Sequence, residues 1–334
     1  MTVSVREVAA HAGVSVGTVS NVLNHRERVA PESVRRVNEA IEALGYVRND
    51  AARQLRAGQS TTVGLVVLDV RNPFFTEMAR GAEQEAERHD LAVILGNSDE
   101  DESRESRYLD LFEQQRVRGV LISPYGEVGP RLQRLRERGT PAVLVDRRSA
   151  DGVFSSVSVD DEKGGWLAGT HLIERSRRRL MFVGGPADLR QIEDRRRGVE
   201  RAVRERSGVT LEVFATSAMQ VADGRAVGEE IAARKASERP DGVFAGNDLL
   251  ALGVLQGLLQ SPGLRVPEDV ALIGFDDIDF AAAAVVPLSS VRQPSRIMGE
   301  TALRLLLDEE ADPGRPVQQV VFEPELVVRA STGR

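Results

Sequence analysis

Three polar residues each follow a short apolar run in the main part of the chain, where a strand of a sheet would end. They are Asp146, Asn247 and Asp276, and a fourth candidate, Arg195, lies in a charged run three residues before a glycine. Carboxylates and amides bond to hydroxyl groups, and a guanidinium can bridge two oxygens. Together these side chains are suited to binding a monosaccharide or a close derivative.

The same residues also have simpler structural interpretations. Asn247 and Asp276 precede predicted helices, where they can serve as N-caps, although a cap can also face a ligand. A charged run such as the one around Arg195 is typically a solvated helix face. Phe74 and Phe75 can belong to an ordinary core rather than to the wall of a site. The residue types alone leave both interpretations open.

Alternating strands and helices must position these side chains. Apolar strand runs recur with helical segments between them, which is typical of βαβ units and parallel sheets. Two successive series of strands are predicted, one at 62–68, 91–95, 119–122 and 142–145, the other at 180–184, 211–214, 242–245 and 270–275. Two doubly wound sheets imply two lobes with a ligand cleft between the carboxyl-terminal ends of their strands.

The first fifty residues predict three short helices and no strand. Ser4 and Glu7 form a capping box, Ser15 can cap the second helix, and Gly45 ends the third. Two short helices joined by a tight turn and followed by an amphipathic helix describe a helix-turn-helix. A small three-helix bundle that binds another protein has the same pattern, so the periodicity alone does not decide between them.

The second of these helices is the one that would read DNA. Its outward side chains are small or carry amides, which allows close approach to base edges, and asparagine can pair with adenine. They are Val16, Gly17, Ser20, Asn21 and Asn24. Arg26 and Arg28 follow the helix and can meet phosphates.

The composition excludes several classes of site. The 334 residues include no cysteine, so disulfides, thiolate metal sites and cysteine nucleophiles are excluded. The net charge is −7, whereas residues 1–60 hold eight arginines against six acidic residues. We find no metal-ligand spacing among the four histidines, no phosphate loop, no dinucleotide fingerprint and no nucleophile elbow. We therefore expect a protein that is not an enzyme and needs no cofactor or metal.

Motifs spread over the whole chain resemble those of one family. The amino-terminal run VREVAAHAGVSVGTVSNVLN (5–24), together with ALGY (43–46) and NDAARQL (49–55), is similar to the DNA-binding region of the LacI/GalR family, named for the lactose repressor. Further matches follow in family order: NPFF (72–75), NSDE (97–100), NDLLALG (247–253) and GFDD (274–277). Taken together, these runs identify a member of that family.

The resemblance implies a homodimer that binds a palindromic operator, usually as a repressor. Each subunit would place its reading helix in the major groove, and two hinge helices would pair in the minor groove, where Leu55 wedges into a base step. The DNA-binding residues implied in this way are Ser15, Val16, Gly17, Thr18, Ser20, Asn21, Asn24, Arg28, Ala52 and Leu55.

The resemblance also implies a small-molecule effector that controls DNA binding allosterically. The implied contacts are Asn72, Phe74, Phe75, Ser123, Asp146, Arg195, Met219, Asn247 and Asp276. Met219 stands where members of the family often place an aromatic platform, so it can pack on an apolar ring face but cannot stack. This departure favours a sugar over a purine.

The implied fold is α/β: a three-helix head with a hinge helix, then a two-lobed domain like the periplasmic binding proteins. We assign residues 1–48 to DNA binding, 49–60 to the hinge, and 61–334 to effector binding and dimerisation. In that last domain the first lobe takes approximately 61–159 and 291–320, and the second approximately 160–290 and 321–330.

A stand-alone sugar-binding protein of a transport system is the alternative, because it would share the two lobes. Such a protein is exported, and residues 1–10 do not read as a signal peptide. No run approaches the length of a membrane span. We therefore expect a cytoplasmic protein without membrane contact. The chain also shows no heptad tail after residue 328 for tetramer formation, which favours a dimer.

Overall fold

The structure is a computed structural model that describes residues 3–46, 60–150, 152–186 and 189–333, apart from the side chain of Asn24. The chain divides into two compact units, Met1–Gln59 and Ser60–Arg334, which we call the head and the body. Of the predicted hinge segment 49–60, only Ser60 is described. The proposed DNA contacts Ala52 and Leu55 therefore lie outside the described residues.

The head contains three helices whose ends follow local capping rules. They are α1 (Val5–Ala12), α2 (Val16–Asn24) and α3 (Pro31–Leu44), with a 3-10 turn at Arg26–Arg28 before α3. Ser4 and Glu7 form the predicted capping box, and the Ser15 hydroxyl accepts a hydrogen bond from the Thr18 amide at 3.0 Å. Gly13 and Gly45 end α1 and α3 in the left-handed conformation, with φ of 63° and 61°.

One apolar face of each helix forms the core of the head. Val8 of α1, Val19 of α2 and Val37 of α3 are fully buried and belong to one cluster. Because α2 turns its apolar face, with Val19, into this core, the opposite face of α2 is exposed to solvent. Val16 is 45% exposed there, and Asn21 is exposed on the same helix.

The body contains two six-stranded sheets. The first has the order β11-β5-β4-β3-β1-β2 and the second β12-β10-β9-β8-β6-β7. Pairings are parallel except that β12 runs antiparallel to β10. The strands are β1 (Thr62–Val67), β2 (Ala92–Asn97), β3 (Val120–Ile122), β4 (Ala142–Val145), β5 (Ser156–Val159), β6 (Arg179–Gly184), β7 (Thr210–Ala215), β8 (Gly242–Ala245), β9 (Ala271–Asp276), β10 (Ser289–Arg292), β11 (Gln319–Phe322) and β12 (Glu325–Val327).

Helices cover both faces of each sheet, as doubly wound folds require. They are α4 (Pro73–Glu87), α5 (Glu102–Gln114), α6 (Gly129–Glu137), α7 (Asp161–Glu174), α8 (Arg190–Arg204), α9 (Val221–Ala233), α10 (Asp248–Leu259), α11 (Asp279–Ala283) and α12 (Ser295–Ala311), with a 3-10 turn at Ala330–Thr332. No helix in the described part of the chain is both long and apolar enough to cross a membrane.

The chain passes between the two sheets three times, after β5, β10 and β11. The strands predicted from the sequence did not include β5, β10 or β11. Ser156 and Ser158 of β5, and Ser289 and Ser290 of β10, interrupt the apolar pattern although all four are buried. The second and third exchanges follow the ends of β10 and β11, at Arg292 and Phe322. Each lies two residues after the approximate lobe limit that the sequence predicted, at residues 290 and 320.

Glycine allows α7 and α8 to approach closely, and this contact bears on the cleft. A methyl group added at Gly165 of α7 would lie 2.0 Å from the carbonyl oxygen of Arg195 in α8. Only glycine fits so near a neighbouring backbone. The two helices therefore bring the side chains of Asp161 and Arg195 together.

Candidate functional site

A cavity lies between the lobes at the carboxyl-terminal ends of the strands. Of the nine residues predicted to contact an effector, the structure brings eight to its lining: Asn72, Phe74, Phe75, Asp146, Arg195, Met219, Asn247 and Asp276. The unfilled space, including its opening toward solvent, is about 470 Å³.

Ser123 is the residue that the structure does not bring to this cavity. It follows β3, is fully buried, and its hydroxyl has no hydrogen-bond partner among the described residues. Ser123 follows a strand, as Asp146 does. A side chain at the end of a strand can, however, point into the core of its own lobe instead of into the cavity. Sequence position alone does not separate the two orientations.

Arg195 is buried rather than solvated, with 4% of its surface exposed, so the alternative interpretation as part of a solvated helix face is wrong for this residue. Its Nε donates to Asp161 Oδ1 at 2.8 Å and an Nη donates to the Gly246 carbonyl at 2.7 Å. The guanidinium also lies 3.6 Å from the centre of the Phe275 ring. Burial opposes its charge, but the carboxylates of Asp161 and its neighbours outweigh burial and raise the pKa of Arg195.

The carboxylate of Asp276 is held by two side-chain amides, and the backbone of Asp276 is strained. Its carboxylate accepts from Asn72 Nδ2 at 2.9 Å and from Gln293 Nε2 at 2.7 Å. Its φ of 106° is unusual for a residue with a side chain, and such strain is common at binding sites. Burial raises the pKa of Asp276, and the nearby guanidinium of Arg195 opposes that rise. Asp276 does not cap α11, whose N-cap is Ile278, so the capping interpretation is wrong for this residue.

Asp146 follows β4 with a φ of 56° and meets the second lobe through Gln191. Gln191 Nε2 donates to both the backbone oxygen and Oδ2 of Asp146, each at 2.9 Å. Oδ1 is buried and has no partner among the described residues. Burial, and then the negative charge of Asp161, raise the pKa of Asp146 to about 8.

The two asparagines both cap helices and line the cavity. Asn247 Oδ1 accepts from the Leu250 amide at 2.8 Å at the start of α10, so its capping interpretation is correct. Asn72 Oδ1 accepts from the Phe74 amide at 3.0 Å, which leaves its amide nitrogen to reach Asp276. A cap can therefore also face a ligand cavity here.

Apolar side chains form the remaining wall. Phe74 and Phe75 are buried and meet edge to face with their centres 5.0 Å apart, so each belongs both to the core and to the lining. Met219 packs against Gly185 on the opposite side of the cavity. These groups can cover the C–H face of a bound ring.

Sequence analysis missed several polar residues of the cavity. Asp69, Gln191, Gln220 and Gln293 line it, and Gln220 Nε2 donates to Asp69 Oδ2 at 2.5 Å across the lobes. Asp69 comes directly after the predicted strand 62–68, so the rule that selected Asp146 could have found it. Gln293 follows β10, a strand that was not predicted, whereas Gln191 and Gln220 lie outside strand ends.

Asp248 is a further missed residue, and it supports the loop that carries Asp276. It is fully buried, accepts from the Ile278 amide at 2.9 Å and accepts from the Ser290 hydroxyl at 2.7 Å. The Ser290 oxygen in turn accepts from the Asp277 amide at 3.0 Å. Both residues that follow Asp276 are therefore fixed through one carboxyl group. Burial raises the pKa of Asp248 well above its usual range.

Asp248→Ala should lower the free energy of unfolding by about 1 to 3 kcal/mol, because buried donors of Ile278 and Ser290 lose their acceptor. Asp248→Asn keeps one acceptor oxygen and should cost less. Urea unfolding measures both. Asp308→Ala is the control, since Asp308 forms an exposed ion pair with Arg315 and such pairs contribute little. Equal losses for Asp248→Ala and the control would contradict the supporting role.

The stability of the body should fall as the pH rises from about 5 to about 8. Burial raises the pKa of Asp146 from 3.8 to about 8 and that of Asp161 to about 6, so the folded state holds protons that the unfolded state has released. The stabilisation is complete below pH 4 and is lost as the pH passes these folded-state values. Urea unfolding at several pH values tests this. In Asp146→Asn the free energy of unfolding should depend less on pH. A wild-type free energy of unfolding that rises between pH 5 and pH 8 would contradict the prediction.

The head presents a second candidate surface along α2. Ser15, Val16, Gly17 and Asn21 are exposed on it, and Thr18 and Ser20 are partly exposed. The Ser15 hydroxyl is engaged by the Thr18 amide, so part of its predicted role is structural. Arg28 is exposed beyond the helix, 3.6 Å from Glu27. The side chain of Asn24 lies outside the described part. Small and amide side chains on one exposed helix face fit a DNA groove.

Two family models match the chain. Residues 4–49 match the model described as bacterial regulatory proteins, lacI family, and residues 170–332 match the periplasmic binding protein-like domain. The first lies on the helices of the head. The second lies mostly on the second lobe and includes the exchanges after β10 and β11.

Individual proteins match over nearly the whole length. The chain is 32% identical to the HTH-type transcriptional repressor PurR of Aliivibrio fischeri (strain MJ11), covering 98% of both chains. It is 36% identical to the ribose operon repressor of Bacillus subtilis (strain 168), covering 91% of this chain and 90% of the relative. Among solved structures, a complex of the transcriptional regulator CelR with cellobiose is 32% identical, covers 98% of this chain and 99% of that one, and has a TM-score of 0.73.

Proposed function

Since this chain belongs to the LacI family of bacterial regulatory proteins, we propose that it is a transcription regulator whose affinity for operator DNA is set by a sugar bound between its lobes. The observation that carries the proposal is the combination, in one chain, of an exposed helix-turn-helix surface and a polar interlobe cavity. Relatives of similar length are named as transcriptional repressors, which favours repression as the output.

The reading surface is proposed to be α2 with its flanking residues. Val16, Ser20 and Asn21 would contact base edges, and Arg28 would contact phosphate. Residues 49–60 would form the hinge, with Leu55 as its wedge in the minor groove. A head of this kind argues against the alternative of a stand-alone sugar-binding protein, because that protein needs no DNA-reading helix.

The effector is proposed to bind Asp146, Arg195, Asn247 and Asp276, with Phe74, Phe75 and Met219 as its apolar surroundings. A relative is named as a ribose operon repressor, and one similar structure holds cellobiose. Both names fit a cavity whose polar groups suit hydroxyls. We assign the cavity to binding rather than to catalysis.

The working unit is proposed to be a homodimer on a palindromic operator, since two-fold protein symmetry matches two-fold DNA symmetry. The body exposes large apolar side chains that a second copy would cover. Phe280 is 60% exposed and Val285 is 83% exposed, close together in the chain after β9. Both fit a subunit interface, where aromatic and apolar residues are enriched.

Selection from a randomised DNA duplex library tests the proposed function, because it works without a known operator sequence. The full chain should enrich an inverted repeat, and the purified protein should sediment as a dimer. A protein that stays monomeric and enriches no sequence would overturn the proposal. The same protein with Val16, Ser20 and Asn21 changed to alanine is the matched control and should enrich nothing.

A further inference from the structure

The segments by which the chain passes between the lobes, which we call the crossovers, are short, and two of them contain proline. The first is Asp160, between β5 and α7. The second is Gln293 with Pro294, between β10 and α12, and the third is Glu323 with Pro324, between β11 and β12. Because proline fixes its own φ, few backbone torsions are free to change when the lobes move. Charged side chains at the crossovers are therefore well placed to set the angle between the lobes.

Ion pairs tie the three crossovers to one another. Arg292, the last residue of β10, lies directly opposite Glu325 of β12 in the antiparallel register, with Nη1 3.3 Å from Oε2. Lys163, in the first turn of α7, pairs with Glu323, and its backbone amide donates to the Asp160 carboxylate at 3.0 Å. The second crossover is thus tied to the third, and the third to the first.

Arg292 also holds the residue that follows Asp276 of the cavity. Its Nε donates to Asp277 Oδ2 at 2.8 Å, and Arg329 donates to Oδ1 at 2.6 Å. The side chain of Asp277 is only 5% exposed, and hydrogen bonds from charged donors to such a carboxylate are strong. Gln293, directly after Arg292, donates to Asp276 at 2.7 Å. The position of Asp276 therefore depends on Arg292 from both sides.

The two arginines that bind Asp277 have different positions in the fold. Arg329 also donates to the Leu288 carbonyl at 2.8 Å, so both of its partners lie in the second lobe. Arg292 stands immediately before the second crossover and pairs with Glu325, immediately after the third. Neither Arg292 nor Asp277 belongs to the described lining of the cavity. An effect of Arg292 on ligand binding must therefore act through Asp276 and the crossovers.

We propose that Arg292 is a positioning residue for effector binding. Through Asp277 it holds Asp276 in place, and through Glu325 it fixes the angle between the lobes. The side chains of Arg292 and Glu325 are 46% and 68% exposed, so salt screens their ion pair and makes the lobe angle sensitive to ionic strength. This inference rests on the proposed function, because it takes the interlobe cavity as the effector site.

The lobe angle is measurable without a ligand, because the chain contains no cysteine and spin labels attach only where one is introduced. Gln133→Cys on α6 and Ser207→Cys after α8 place one label at an exposed site of each lobe. Double electron–electron resonance on the full chain, diluted with unlabelled chain, gives the distance within one subunit. Arg292→Gln should shift or broaden the distance distribution. A distribution that this substitution leaves unchanged would overturn the proposal.

Calorimetric titration with D-ribose and with cellobiose measures the effect on binding. Arg292→Gln should bind whichever of the two sugars the wild type binds at least about tenfold more weakly, and Arg292→Lys, which keeps the charge, should recover part of the loss. Glu325→Gln should weaken binding about two- to fivefold, as expected for an exposed ion pair. Adding Glu325→Gln to Arg292→Gln should have no further effect, whereas additive losses would mean that the two residues do not act as a pair. If neither sugar binds, the distance measurement decides alone.

Glu229→Gln is the matched control for Glu325→Gln. Glu229 pairs with Arg225 at the same distance of 3.3 Å, but within α9 and away from the crossovers. This variant should leave the distance distribution and the sugar affinity unchanged. A loss equal to that of Glu325→Gln would mean that the crossover pair has no special role.

The dependence on salt is a readout that a purely structural role of the ion pairs would not produce. Between about 0.1 M and about 1 M salt, the wild type should lose about two- to fivefold in affinity for a sugar that carries no charge. Glu325→Gln should lose less, because one of the screened pairs is already absent. Equal salt dependence in the two proteins would contradict the proposal.

Failure of this inference is separable from failure of the proposed function. The distance measurement uses neither DNA nor sugar, so an unchanged distribution leaves the assignment as a regulator intact. Conversely, a chain that enriches no inverted repeat but whose lobe angle responds to Arg292→Gln keeps the positioning role and loses the regulatory function.

Discussion

Arg195→Met is expected to lower the free energy of unfolding of the body by about 3 to 5 kcal/mol, the loss typical of breaking a buried ion pair. The substitution leaves the Asp161 carboxylate buried without its cationic partner, and it leaves the Gly246 carbonyl without that donor. Urea unfolding followed by circular dichroism measures the change. Sugar binding should also be lost, because Arg195 is the lone arginine in the described cavity lining.

Arg197→Met is the matched control for this prediction. Arg197 lies on the same helix, but its side chain is 51% exposed and paired with Asp194, so its replacement should cost less than about 1 kcal/mol. Adding Asp161→Asn to Arg195→Met should cost less than the two single changes together, since the second change removes the stranded charge. Additive losses would mean that Asp161 and Arg195 do not act as a pair.

Asn21→Ala is expected to weaken binding to the selected operator by about 1 to 3 kcal/mol, or roughly 5- to 150-fold, because a good base contact contributes this much. The slope of affinity against salt should stay unchanged, since no charge is lost. Fluorescence anisotropy with labelled duplex over a series of salt concentrations measures both quantities. Binding to a scrambled duplex should be unaffected.

Two further variants of the head complete this test. Asn38→Ala makes the same chemical change at an exposed site on α3 and should leave operator affinity unaltered. Arg28→Ala should weaken specific and non-specific binding alike and lower the salt slope by about one. If Asn21→Ala and Asn38→Ala bind the operator equally well, α2 does not read bases through Asn21.

The parts of the fold that follow local rules were predictable from the sequence. Capping at Ser4 and Ser15, the glycine helix ends, and strands made of continuous apolar residues all depend on near neighbours in the chain. By contrast, β5 and β10 carry buried serines, whose burial depends on their position at the exchange between lobes. A pattern of hydrophobicity cannot reveal that position, so these strands were missed.

The same distinction holds for the cavity. Asp146 lies at a strand end of the first sheet, and Asn247 and Asp276 lie at strand ends of the second. The rule that a cleft lies between the carboxyl-terminal ends of two such sheets brought them together correctly. Ser123 satisfied the same rule and does not reach the cavity. Gln293 was missed because β10, the strand that it follows beside Asp276 of β9, was not predicted. Gln191 could not be predicted, because only the packing of the second lobe on the first places its amide opposite Asp146.

Three hydrogen-bonded pairs of an amide and a carboxylate join the two lobes directly. They are Asn72 with Asp276, Gln191 with Asp146, and Gln220 with Asp69. A ligand that takes over any of these carboxylates must change how the lobes are held together. Differential contacts of this kind are what an effector needs in order to shift a conformational equilibrium. The cavity is therefore suited to control as well as to binding.

The most direct test of the account is the affinity of the full chain for its selected operator, measured with and without a saturating concentration of a sugar that it binds. The account predicts a change of about 5- to 150-fold, corresponding to a coupling of about 1 to 3 kcal/mol, and an equal change in sugar affinity caused by operator DNA. Identical operator affinity at every sugar concentration would contradict it.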